Sequence, residues 1–97
     1  MTRQEHDAIL DALNYESKVA RAAWDAASKA FEDIVHSIPE GVSLPDSVYR
    51  LQKAAKEQSR AREHFMECLN ATSRFVVHGE VPDHLRKHIL DAEAEQV

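Results

Sequence analysis

Ninety-seven residues suffice for one hydrophobic core and not for two. A net charge of −5 speaks against a general nucleic-acid binder, and a single cysteine excludes an intrachain disulfide and fits a reducing compartment. No apolar run approaches the roughly 20 residues of a membrane span and no basic-then-apolar leader opens the chain, so a cytoplasmic protein without membrane attachment is expected.

The first predicted element is a helix over about residues 3–38. Thr2 and Glu5 have capping-box spacing at its start, and Pro39 and Gly41 stop it. Leu10, Leu13, Ser17, Ala20, Trp24, Ala27, Phe31, Ile34 and Ile38 recur by threes and fours, an apolar seam broken only by Ser17. The opposite face repeats the pattern with Ala8, Ala12, Tyr15, Val19, Ala22 and Ala26. A helix apolar on two faces requires cover on both.

Residues 39–45, Pro-Glu-Gly-Val-Ser-Leu-Pro, form a short connector that makes the next helix an antiparallel neighbour. That second helix is predicted over 46–78, opened by Ser43 or Pro45 and closed by Gly79. Its seam is taken as Val48, Leu51, Ala55, Gln58, Arg62, Phe65, Leu69, Thr72 and Val76, widened on one side by Ala54, Ala61, Cys68 and Phe75. Folding at the connector sets Phe31 against Ala55, Trp24 against Ala61 and Arg62, Ala20 against Phe65 and Ser17 against Leu69. Large then meets small at each level. Residues 1–38 carry four Lys/Arg against seven Asp/Glu, whereas 46–78 carry six against four, so the two helices are expected to pair by charge.

Val81-Pro82-Asp83 starts a short third helix, predicted over 82–93, with Leu85, Ile89 and Ala92 on one side. It is placed to lay Leu85 and Ile89 over the start of helix 1, but it is too short to reach Ala22 and Ala26. A second copy of the chain is the expected cover there, with Tyr15 as anchor. The fold class is therefore all-α: a single domain, a long antiparallel two-helix hairpin with a short third C-terminal helix, bundle-like and completed by self-association, a homodimer being favoured.

The punctuation Ile38-Pro39-Glu40-Gly41-Val42-Ser43-Leu44-Pro45-Asp46, with Gly79-Glu80-Val81-Pro82-Asp83-His84-Leu85, resembles the layout of small uncharacterised bacterial helical-hairpin proteins. The resemblance spans residues 10 to about 88 and implies a fold, with no activity and no functional residue attached. In outline the chain is also similar to small helical phage proteins that bind defence components or signalling nucleotides, a likeness of shape alone.

Candidate chemistry is sparse. His84, His88 and Asp91 have one-turn spacing, which suits a metal ion, yet no further ligand lies nearby in sequence. His64 and Cys68 share a face beside Glu67, but a thiolate–imidazole pair needs a cleft and an orienting group. Asp33-Ile-Val-His36 approximates one element of a carboxylate-bridged metal bundle and has no second copy. Arg50, Lys53, Lys56, Arg60 and Arg62 form a basic stretch suited to an anion or an acidic partner, with internal pairing to helix 1 as the default. No catalytic set, metal or cofactor is expected. The leading expectation is a non-enzymatic helical protein–protein interaction or adaptor module, acting on itself or on a protein partner, with nucleic acid disfavoured. The alternative is a small-ligand or nucleotide-binding protein with an intersubunit pocket near Tyr15, Trp24 and the basic stretch.

Overall fold

The computed structural model describes residues 1–38, 45–87 and 89. They form an all-α helical hairpin of α1 (Arg3–Ser37) and α2 (Pro45–His78), followed by a 3-10 turn at Asp83–Leu85. Connector residues 39–44, among them the expected opener Ser43, lie outside the described residues.

The helix ends follow the chemistry of their termini. At the start of α1 the Glu5 N–H donates to Thr2 Oγ1 (3.2 Å), and the Thr2 hydroxyl donates to Glu5 Oε1 (3.1 Å). One of the four orphan amides of the first turn is thereby satisfied. Pro45 takes the first position of α2, where its missing N–H costs nothing. Gly79 ends α2 in the left-handed region (φ 71°), and its N–H donates to the Phe75 carbonyl at 2.9 Å. A Cβ on Gly79 would touch nothing within 4 Å, so glycine is required there by backbone conformation and not by space.

All eight seam positions within α1, and Ile38 just beyond it, are buried or half-buried. In α2 the seam is rotated from the expected one. Leu51, Ala55, Gln58, Phe65 and Thr72 are withdrawn from solvent as anticipated, as are Ala54, Ala61, Cys68 and Phe75 on the widened side, where Ser47 joins them. Val48, Arg62, Leu69 and Val76 are exposed. Both columns share Leu51, Gln58, Phe65 and Thr72 and alternate by three and four, so periodicity cannot choose between them. Where the two columns differ, the one the structure uses has Ser47, Ala54, Ala61 and Cys68 before Phe75, and small side chains let a helix approach the bulky seam of its neighbour. It also leaves Arg62 in water.

The described residues fall into two compact units. Unit one comprises Met1–Lys18 and Met66–Val97. Its core is Ile9, Leu13, Phe75 and Leu85, with Leu10, Ala12, Ala71, Val81 and Ile89 packed against it. The His6 ring lies 4.8 Å from that of Phe75. Here the expected third helix is corrected. It opens as a 3-10 turn, with Leu85 N–H donating to the Pro82 carbonyl (2.9 Å) and Arg86 N–H to that of Asp83 (3.3 Å), and the described Lys87 and Ile89 beyond it are helical. Closing over three residues winds the chain more tightly than an α-helix, and Leu85 inside this turn is carried into the core. Residues 88 and 90–97, including most of the remainder of the predicted helix, lie outside the described residues.

Unit two is Val19–Phe65. Ala20 and Ala54 are buried in it, and the Trp24 and Phe65 rings stack obliquely at 5.7 Å. The Arg21 guanidinium lies 5.8 Å from the Trp24 centroid and 5.6 Å from that of Phe65, capping both rings. Gln58 Nε2 donates to Ser28 Oγ at 3.1 Å, a side-chain bond between the helices in the expected register. The Trp24 ring also reaches Phe65, one turn beyond the Ala61 expected opposite it. Among the described residues no helix is long and apolar enough to cross a membrane.

Candidate functional site

Helical periodicity places Ala8, Ala12, Tyr15, Val19, Ala22 and Ala26 on one face of α1. In unit one Ala12 is half-buried against the core cluster, while Ala8 is exposed and Tyr15 is 69% exposed. In unit two Val19 is 50% exposed, and Ala22 and Ala26 are exposed. Within unit one the described part of the tail packs on the Ile9, Ala12 and Leu13 side of α1. On α2, Met66, Leu69, Val76 and Val77 are exposed large apolar residues of unit one, and Val48 and Tyr49 are exposed in unit two.

At 100° per residue Arg50, Lys53, Lys56 and Arg60 follow one another by threes and fours along one side of α2, whereas Arg62 lies on the other flank. All five are exposed. Asp25 pairs with Arg21 on its own helix, Arg21 Nε to Asp25 Oδ1 at 3.5 Å. Such an exposed pair contributes little.

His84 has a different partner from the metal suggested by its spacing. Its Nε2 is 2.7 Å from Glu16 Oε1, a contact that ties the tail to α1 across 68 residues. His88 and Asp91 lie outside the described residues. Among the described residues no three His, Cys, Asp or Glu side chains converge as a metal site. Asp33 and His36 are both exposed on α1.

Cys68 is buried in the α2 seam. Burial pushes its thiol above the ordinary cysteine range, and the Glu16 and Glu67 carboxylates push it further the same way. The nucleophile in cysteine chemistry is the thiolate, which this setting disfavours at neutral pH. Near the Gly79 corner an open cleft of about 240 Å³ is lined by Ala71, Arg74, Glu80, Val81, Pro82 and Asp83. One guanidinium and two carboxylates share that lining, so no single charge dominates it.

Three residues of this region carry weight that the sequence reading did not assign. Ile9 is wholly buried, one position outside the α1 seam, and His6 and Glu16 meet Phe75 and His84. The run Ala8-Ile9-Leu10 was the available signal for Ile9, since three consecutive apolar residues widen a seam beyond two columns. The polar pair of Glu16 with His84 has no sequence signature at that separation. No family model, curated protein or solved structure matches the chain.

Proposed function

We propose that the protein is a non-enzymatic helical interaction module, and that its first partner is a second copy of itself, engaged through the outward face of α1. The observation that carries this reading is the exposure of Tyr15 and Val19 among small alanines on one helix face. An aromatic flanked by alanines suits close helix–helix approach, the ring supplying buried area and the hydroxyl a polar end. A chain of this size also gains from burial beyond its own core. The raised thiol of Cys68 further favours a binding role over cysteine catalysis.

Sedimentation velocity over a range of concentrations tests it. Wild type should associate, and Tyr15→Glu and Val19→Glu should each shift the boundary to monomer with unchanged helix content, because a carboxylate on that face is costly to bury. A wild-type chain that stays monomeric at all concentrations would overturn self-association. An association unaffected by either substitution would move it to another face.

A further inference from the structure

Resting on the self-association proposed above, we infer that the outward α1 face of one copy docks on an α2 strip of the next, so that copies add head to tail. The strip is Met66, Leu69, Val76 and Val77 of unit one, all exposed. With Ser73 between them, these positions follow one another by threes and fours along one face of α2. No charge interrupts the strip, because at 100° per residue Glu67 and Arg74 fall on the other side of the helix. A contiguous exposed apolar surface of this kind marks a contact surface.

The donor face and the strip lie on opposite sides of unit one, and the tail shows which is which. Val81 packs on the core cluster together with Ala12 of α1 and Ala71 of α2, and Ala71 and Val81 also line the cleft at the Gly79 corner. Ala8 and Tyr15 flank Ala12 on α1, one turn to either side, and so share the tail's side. Leu69 and Val76 lie roughly 140–160° round α2 from Ala71, turned away from the tail. Two unlike halves on opposite sides cannot both be satisfied in a two-fold dimer. Each added copy presents a fresh half outward, and growth continues.

Size and charge favour this pairing over either face with itself. The α1 face sets alanines about Tyr15, whereas the strip offers four long or branched side chains, so small meets large and the helix axes come close. Strip on strip would oppose branched side chains to one another. Face on face would bring together two acidic surfaces. Asp11 is exposed one turn from both Ala8 and Tyr15, and residues 1–18 carry Arg3 and Lys18 against Glu5, Asp7, Asp11 and Glu16. The uncharged strip gives that face a seat without like-charge repulsion.

Analytical ultracentrifugation of the full chain tests the docking. With rising concentration wild type should pass the mass of two chains. Tyr15→Glu, Leu69→Glu and Val76→Glu should each remain at one chain, 11.0 kDa, with wild-type helix content by circular dichroism. Leu69 and Val76 are 42% and 60% exposed, so the isolated chain keeps either new carboxylate in water. An equimolar mixture of Tyr15→Glu and Leu69→Glu should recover a complex of two chains and stop there, because each variant retains the half that the other has lost. Wild-type association by both Leu69→Glu and Val76→Glu would overturn the docking and leave the α1 face pairing with itself. Wild-type association by Tyr15→Glu would instead overturn the role of the α1 face and the docking with it. A wild-type mass that levels at two chains, or a mixture that stays at one, would overturn head-to-tail addition.

Discussion

Ser17 is the polar member of an otherwise apolar seam, and its hydroxyl oxygen is buried without a hydrogen-bond partner. By contrast Gln58, its counterpart in α2, is satisfied by Ser28, and Thr72 bonds back to the Cys68 carbonyl at 3.0 Å. A buried donor left unmade costs about 1–3 kcal/mol, and serine is also a poorer helix former than alanine. Ser17→Ala is therefore expected to stabilise the protein by about 1–2 kcal/mol, seen as a higher urea midpoint at constant slope. A lowered midpoint would mean that the hydroxyl is satisfied in solution. The place of Ser17 in the seam was legible from spacing alone. Its lack of a partner was not, because a serine in a helix ordinarily has a carbonyl one turn back within reach.

At the scale of the elements, α1 was readable because one column carries Leu10, Leu13, Trp24, Phe31 and Ile34, all withdrawn from solvent. The α2 pattern was ambiguous: Val48, Leu69 and Val76 outrank Ala54, Ala61 and Cys68 in hydrophobicity, yet they remain outside. Ranking residues by transfer energy ignores how near two helix axes can come, and close approach favours small side chains. The third element opens otherwise than expected for a related reason. Leu85 and Ile89 have helical spacing, but Pro82 and the demand for Leu85 in the core give a tighter turn. These environments set an order of mutational cost. Phe75 is 1% exposed at the centre of its cluster, so Phe75→Ala should cost about 3–5 kcal/mol. Trp24 is half-buried and keeps part of its ring in water, so Trp24→Ala should cost less, about 1–3 kcal/mol. Chemical denaturation of both variants checks the order, and a larger loss at Trp24 would contradict the packing described.

For the whole molecule, fold class and helix limits were available from periodicity, capping spacing and Pro/Gly punctuation. The candidate surfaces were legible only as patterns. Sequence identified a second apolar face on α1, but the tail's choice of Ile9, Ala12 and Leu13 depends on a turn geometry that spacing does not specify. The unused column of α2 has a consequence for the uniqueness of the native state. Two stripes on one helix compete for burial, and Arg62 is the residue that makes one of them expensive to hide, since a lone guanidinium resists leaving water. Arg62→Leu removes that veto, so α2 should turn between two nearly equivalent packings. The expected signature is doubled or broadened methyl resonances with helicity intact, as in cores that lose a single arrangement before they lose stability. One exposed cation would thus decide which of two possible cores this chain adopts.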